Sequence, residues 1–179
     1  MNKARRNIYL IGMMGTGKST VGKLVASHIK MDFIDSDSAI EERTGLSVSE
    51  IFSTHGEEEF REMEKEFISN GHPLKNCLIS CGGGLCMNKG VWTEMKSKGF
   101  IVCLWAEKET IYDRVKNETN RPLLQVKKPI HEIGKIINQR KDTYLRADLV
   151  IKTDHLMAEE VASKIVNASD SLTKSKTKT

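Results

Sequence analysis

Short apolar runs alternate along the chain with segments whose apolar residues recur at helical spacing. The apolar runs predict five strands, over residues 8–11, 33–34, 78–81, 100–105 and 149–151. Helices are predicted from helical spacing, capping residues or acidic stretches. One begins at residue 38, and the others lie over about 18–30, 57–66, 107–116, 129–146 and 155–169. Because strands and helices alternate, we predict an α/β fold in which a parallel sheet is covered by helices on both faces.

Local signals add detail to this pattern. The run 100–105 is the most continuous apolar one and predicts a central strand. Ser38 and Glu41 have the spacing of a capping box, which predicts that the second helix begins at Ser38. The polar stretch after residue 116 has no periodicity and predicts a mobile lid over about 116–128. We expect one domain over residues 1–170, followed by a polar, disordered tail over 171–179.

The chain composition excludes several classes of protein. No apolar stretch approaches the roughly 18 residues that a membrane span needs, so an integral membrane protein is excluded. The apolar run before Gly12 is too short for a secretory leader, and we expect a cytoplasmic protein. The four cysteines form no C-x-x-C pair, which favours reduced thiols. No pair of histidines has the spacing of metal ligands, so a metal site built on His and Cys is not expected.

The formal net charge of +4 arises at the two ends of the chain. Basic residues without neighbouring acids are Lys3, Arg5, Arg6, Lys174, Lys176 and Lys178. Without them the chain carries slightly more acids than bases. We therefore attribute the basic balance to frayed ends and expect no nucleic-acid partner.

The strongest motif lies between the first predicted strand and the first predicted helix. Residues 12–19 match G-x-x-x-x-G-K-[ST], in which backbone N–H groups and a helix N-terminus converge on phosphate. Lys18 is then expected to reach the β- and γ-phosphates, and the hydroxyl of Ser19 to ligate Mg²⁺. The motif predicts nucleotide contacts from Gly15, Thr16, Gly17, Lys18, Ser19 and Thr20. The alternative is a glycine-rich turn. No N-K-x-D motif occurs, which disfavours a guanine-specific switch protein.

Two aspartates follow the second predicted strand. In extended backbone Asp35 and Asp37 point the same way, so Asp35 could hold Mg²⁺ through water while Asp37 accepts a hydrogen bond from a substrate hydroxyl. Asp is also common as a helix cap. The pattern alone leaves both interpretations open.

Three arginines and a glycine run have structural alternatives of the same kind. Arg61 has the i, i+4 spacing of a surface pair with Glu57. The run 82–84 is either a tight turn or a place where a small molecule approaches the backbone closely. Arg121 is either a solvated loop residue or a lid residue that reaches transferred phosphate. Arg140 is either helix surface or part of a site.

Taken together, these residues resemble the shikimate kinase family. The motifs occur in family order over about residues 8–155: G-x-x-G-x-G-K-S-T at 12–20, D-x-D at 35–37, G-E-x-x-F-R at 56–61, G-G-G at 82–84, R-P-L-L at 121–124, and Arg140, Tyr144 and Asp148. The resemblance implies a fold like that of P-loop nucleoside monophosphate kinases. It also implies transfer of the γ-phosphate of ATP to the 3-hydroxyl of shikimate, on the path to chorismate and the aromatic amino acids.

The resemblance also implies roles for individual residues. Shikimate would be bound by Asp37, Arg61, Gly82, Gly83, Gly84 and Arg140, with the two arginines on its carboxylate. Lys18, Asp37 and Arg121 would be catalytic, Arg114 and Arg121 would contact ATP, and Ser19 and Asp35 would hold one Mg²⁺. ATP and shikimate are the expected partners, and we expect a monomer that binds neither membrane nor nucleic acid.

Two other functions fit part of the sequence. A different small-molecule kinase, acting on gluconate or a nucleoside monophosphate, would share the phosphate motif but would not need two arginines for a carboxylate. A nucleotide-binding regulatory module without turnover would need neither Asp37 nor a polar lid.

Overall fold

A computed structural model describes residues 5–117 and 126–175 of the chain, with side chains as far as residue 171. The strands are β1 (Asn7–Ile11), β2 (Asp32–Asp35), β3 (Cys77–Ser80), β4 (Gly99–Trp105) and β5 (Leu149–Lys152). The helices are α1 (Lys18–Ile29), α2 (Ser36–Thr44), α3 (Val48–Thr54), α4 (Gly56–Asn70), α5 (Val91–Lys98), α6 (Lys108–Val115), α7 (Pro129–Tyr144) and α8 (Ala158–Ser175). A short 3₁₀ helix, Leu85–Met87, lies between β3 and α5.

The described strands form one parallel sheet in the order β2-β3-β1-β4-β5. Its middle strand is β1, in which Leu10 lies opposite Ser80 of β3 and Val102 of β4. The predicted parallel α/β fold is therefore confirmed. The run 100–105 forms β4, which lies beside the middle strand β1. Both strands are buried, so their apolar patterns do not show which of the two occupies the middle of the sheet.

Both faces of the sheet are covered because the buried strands are apolar at successive positions. Ile8 and Leu10 pack with residues of α1 and α8 on one face. Tyr9 and Ile11 pack on the other face with residues from α2 to α7. Successive strand residues point to opposite sides, so a continuous apolar run suits a sheet with helices on both faces.

The chain path leaves a crevice beside the middle strand. From β1 the chain passes through α1 to the edge strand β2 and only then returns to β3, which pairs with β1. Helix α1 packs on one face of the sheet, and the helices that follow β2 and β3 pack on the other. Ligands of open parallel sheets bind beyond the strand ends where connections diverge in this way.

Several predicted boundaries were wrong. Helix α2 begins at Ser36, and its N-cap is Asp35 instead of Ser38. A capping box is present instead at the start of α3, between Ser47 and Glu50. Helices α3 and α5 were not predicted. Helix α8 continues to Ser175, beyond the predicted end at 169 and into the segment expected to be disordered. Most of the predicted lid, residues 118–125, lies outside the described residues.

The prediction that the basic N-terminal residues are frayed was wrong for Arg5 and Arg6. Arg5 forms an ion pair with Asp170 of α8 at 2.8 Å. Arg6 donates to the main-chain oxygens of Lys96 and Ser97. The four cysteines are free and buried, as predicted. Within residues 5–117 and 126–175, no helix combines the length and apolarity needed to cross a membrane.

Candidate active site

The predicted phosphate loop lies at the carboxyl end of β1 and leads into α1. Gly15 and Gly17 have positive φ angles of 72° and 92°, a conformation that residues with a side chain rarely adopt. A Cβ on Gly15 would also lie 2.8 Å from Val115 of α6. The buried hydroxyl of Thr16 donates to the carbonyl of Met13 at 2.8 Å and braces the loop from within. The loop therefore has the geometry that turns backbone N–H groups towards an anion.

Two side chains of the loop lie next to the strand-end carboxylates. The ammonium group of Lys18 donates to the carbonyls of Gly12 and Met13, at 3.0 and 3.1 Å. The hydroxyl of Ser19 donates to Asp35 at 3.0 Å and lies 3.3 Å from the hydroxyl of Ser80. A hydroxyl and a carboxylate thus meet at the mouth of the loop. Mg²⁺ is commonly held by one or two protein oxygens together with substrate phosphates and water, and this pair suits that requirement.

Asp37 lies in the first turn of α2, not in the extended backbone assumed from the sequence. Asp35 caps the helix by accepting from the Asp37 N–H at 3.2 Å, so the capping interpretation of Asp35 is correct. Both aspartates nevertheless line the same cavity. Burial, with the nearby charges of Asp35 and Glu64, raises the pKa of Asp37 to about 6, although Lys18 and Ser36 oppose the shift. Asp37 is therefore a carboxylate of increased proton affinity beside the phosphate loop.

The triple glycine follows β3 and touches three charged side chains, one at each residue. A Cβ on Gly82 would collide with Oδ1 of Asp37. A Cβ on Gly83 would lie 3.3 Å from Nη1 of Arg140, and one on Gly84 would lie 2.8 Å from Nη1 of Arg61. These glycines are needed for space, since none of them has a positive φ. The run therefore brings one carboxylate and two guanidinium groups from α2, α4 and α7 around a bare stretch of backbone.

Arg61 is held by two acids of its own helix. Its Nη2 donates to Glu57 at 2.8 Å, which is the surface pair that the spacing suggested. Its Nη1 donates at 2.7 Å to Glu64, whose side chain is 1% exposed. Asn88 donates to the same Glu64 oxygen, and the other oxygen, Oε1, has no partner among the described residues. Glu64 thus fixes Arg61 beside Gly84 and places a buried negative charge near Asp37.

Arg140 reaches the site from α7. Its Nη1 donates to the carbonyl of Gly83 at 2.9 Å and lies 3.9 Å from the sulfur of Met13 in the phosphate loop. Tyr144, one turn further along α7, donates to the same carbonyl at 2.7 Å. These bonds join α7, the triple glycine and the phosphate loop.

Arg114 marks the opposite side of the cavity. It donates to the carbonyl of Gly15 at 3.2 Å and to the carbonyl of Thr153 at 2.6 Å. Thr153 is buried and follows β5, so the first residue after that strand fixes an arginine beside the phosphate loop. Arg121, the predicted lid arginine, lies outside the described residues.

A cavity of about 390 Å³ lies between the phosphate loop and the start of the triple glycine, and neither Arg61 nor Arg140 lines it. It is lined by the phosphate loop, both aspartates, Gly82, Gly83 and Arg114.

Sequence reasoning missed Glu64, Ser36 and Thr153 as parts of this site. The spacing of Glu64, three residues after Arg61 on one helix, was the available signal. Ser36 is fully buried and accepts from the Gly82 N–H at 2.8 Å, a contact between distant segments that no local pattern indicates.

Comparison with known proteins gives consistent matches. The family model described as shikimate kinase matches residues 14–170. A shikimate kinase of Thermodesulfovibrio yellowstonii is 45% identical over 172 residues, which cover 96% of this chain and 99% of the relative. Shikimate kinase from Acinetobacter baumannii, solved in complex with shikimate, is 34% identical with a TM-score of 0.84, over 93% of this chain and 94% of that one. Shikimate kinase from Aquifex aeolicus is 36% identical with a TM-score of 0.80, over 92% and 96% of the two chains.

Proposed function

Since the chain belongs to the shikimate kinase family, we propose that it transfers the γ-phosphate of ATP to the 3-hydroxyl of shikimate. The observation that carries the proposal for this site is the triple glycine, with Asp37 at Gly82, Arg140 at Gly83 and Arg61 at Gly84. Two guanidinium groups can donate hydrogen bonds to a substrate carboxylate, and the carboxylate of Asp37 can accept one from a substrate hydroxyl. Shikimate carries both groups on one small ring.

The phosphate loop supplies the other half of the reaction. Its backbone N–H groups bind the phosphates of ATP, and Lys18 moves from the loop carbonyls to the β- and γ-phosphate oxygens. Arg114 borders the nucleotide side of the cavity and contacts ATP there. Arg121 completes the nucleotide contacts from the lid. Because phosphoryl transfer proceeds through a loose transition state, positioning and charge stabilisation account for most of the rate.

Ser19 and Asp35 would hold the Mg²⁺ that accompanies ATP, and this ion neutralises charge on the phosphates when bound. Asp37 accepts the hydrogen bond of the shikimate 3-hydroxyl and orients its oxygen towards the γ-phosphate. With a pKa raised to about 6, Asp37 is also better able to take the hydroxyl proton than an ordinary aspartate. The bare backbone of residues 82–84 lets the ring lie close to β3, and Arg61 and Arg140 fix its orientation.

A coupled assay of ADP release tests the function directly. We expect turnover with shikimate and none above the ATPase background with gluconate or nucleoside monophosphates. The methyl ester of shikimate is the matched probe for the arginine pair, because it keeps the hydroxyls and removes the negative charge. Equal turnover of the ester and the acid would contradict the role of Arg61 and Arg140, and faster turnover of gluconate would contradict the function.

Cytoplasmic location and a monomeric state are part of this proposal. The enzyme needs ATP, and its four thiols are free and buried, which suits a reducing compartment. Sedimentation of the purified chain would test the monomeric state.

A further inference from the structure

Tyr144 makes a contact that its position in the core does not require. Its side chain is 1% exposed and belongs to the same buried cluster as Ile137 and Met13, a residue of the phosphate loop. Its hydroxyl donates at 2.7 Å to the carbonyl oxygen of Gly83, the middle residue of the triple glycine. A phenylalanine ring would fill nearly the same volume, so the hydroxyl serves the contact with Gly83 and not the packing.

The same carbonyl oxygen also accepts from Arg140. Nη1 of Arg140 lies 2.9 Å from it, and a carbonyl oxygen has two lone pairs, so Tyr144 and Arg140 fill both. Two donors from successive turns of α7 therefore fix the peptide plane after Gly83. Without the hydroxyl, Arg140 would be the one remaining side-chain donor to this carbonyl among the described residues, and Arg140 is the residue that must also bind the substrate.

The hydroxyl is a permanent donor. Burial raises the pKa of Tyr144 well above its ordinary value, and the nearby guanidinium of Arg140 only partly opposes this shift. The phenol therefore stays protonated throughout the physiological range. Its contact with Gly83 therefore does not depend on pH within that range.

We infer that Tyr144 is a positioning residue for shikimate recognition: its hydroxyl fixes the Gly83 carbonyl, and that carbonyl holds the guanidinium of Arg140 in the orientation that receives the carboxylate. Tyr144 does not touch the substrate in this arrangement. Arginine has five N–H donors, so the one given to Gly83 leaves others for shikimate. The inference rests on the proposed function, because it assigns the carboxylate of shikimate to Arg140.

The test compares Tyr144→Phe with Tyr9→Phe. Tyr9 is also fully buried, but its hydroxyl lies 3.3 Å from His72, before β3 and away from the site. We expect Tyr144→Phe to raise the KM for shikimate about 5- to 10-fold, the value of one lost hydrogen bond or slightly more, with the KM for ATP unchanged. Tyr9→Phe should leave both KM values unchanged. A Tyr144→Phe enzyme with a lower Tm and an unaltered KM for shikimate would make Tyr144 merely structural and overturn the inference.

A second comparison asks whether Tyr144 acts through Arg140. In an Arg140→Lys background the planar fork is absent, so adding Tyr144→Phe should raise the KM for shikimate less than about twofold. An undiminished effect in that background would overturn the inference.

Hydrogen exchange keeps the two proposals distinguishable. Backbone amides of residues 82–84 should exchange faster in Tyr144→Phe than in the wild type, and unchanged exchange would overturn the positioning role. If the wild type released no ADP with shikimate, the proposed function would fail, and the exchange rates would still decide whether Tyr144 holds Gly83.

Discussion

Asp37 bears a charge at neutral pH in a place that penalises it, so removing that charge should stabilise the protein. Burial and the neighbouring acids Asp35 and Glu64 raise its pKa from 3.8 to about 6. A shift of about two units corresponds to about 3 kcal/mol between the two protonation states. Asp37 is half-buried and lines the cavity, so solvent screening reduces this cost, and we expect Asp37→Asn to gain about 1–3 kcal/mol in the free energy of unfolding.

The dependence on pH fixes the sign of this effect. A raised pKa means that the folded chain holds the Asp37 proton more tightly than the unfolded chain does. The destabilisation caused by the Asp37 charge is therefore absent below about pH 4, the pKa of the unfolded chain. It grows between about pH 4 and pH 6 and is complete above about pH 6, the pKa of the folded chain. The gain of Asp37→Asn over the wild type should follow the same curve.

Denaturant unfolding at pH 4.5 and pH 7.5, without ATP and Mg²⁺, measures this gain. Asp32→Asn is the matched control, because Asp32 is an exposed carboxylate at the start of the same strand that precedes Asp37. The stabilised variant should also lose most of its kcat, since an amide cannot take the hydroxyl proton. Equal stability of Asp37→Asn and the wild type at pH 7.5 would refute the reasoning, as would a gain of the same size at both pH values.

Three further changes test the rest of the site. Lys18→Ala should abolish phosphoryl transfer to shikimate. Lys23 is an exposed lysine of the same helix, so Lys23→Ala should keep the wild-type kcat. Substantial turnover by Lys18→Ala would show that Lys18 takes no part in the reaction. Arg140→Lys keeps the charge but loses the fork, so the KM for shikimate should rise roughly 10- to 150-fold, equivalent to about 1.5–3 kcal/mol, and an unchanged KM would place the carboxylate elsewhere. Glu64→Gln removes a buried negative charge that raises the pKa of Asp37, so the acid limb of kcat/KM should move to lower pH; a limb that stays in place would mean that Asp37 does not control it.

The local parts of the site could be predicted from the sequence because their geometry is determined locally. The phosphate loop depends on its own glycines and the helix that follows, so the motif at 12–19 predicted its place and shape. The short helices α3 and α5 were missed because one or two turns give little periodicity. The start of α2 was wrong because Asp35, Ser36 and Ser38 are all good caps, and contacts with the phosphate loop and Gly82 decide among them.

The arginines show why the rest of the site needed either a family resemblance or a structure. By spacing alone Arg61 is a surface partner of Glu57, and that pair does form. Its role follows from a second bond to buried Glu64 and from its closeness to Gly84, which lies on another element. Neither contact is local in the chain, so no periodic pattern indicates it.

The sheet topology explains why the glycine run after β3 lies beside the phosphate loop after β1. The two strands are paired, and the N–H of Cys81 donates to the carbonyl of Leu10, so the segments that follow them leave the sheet side by side. Their connections then diverge to opposite faces, which opens the space between them. A Cβ on Gly82 or Gly84 would collide with Asp37 or Arg61, so a side chain on either residue would displace these charged groups. The bare backbone instead gives Asp37, Arg61 and Arg140 room beside residues 82–84. The charge of Asp37 costs stability in the free protein, but together with the two guanidinium groups it becomes available to a ligand that carries both a carboxylate and a hydroxyl.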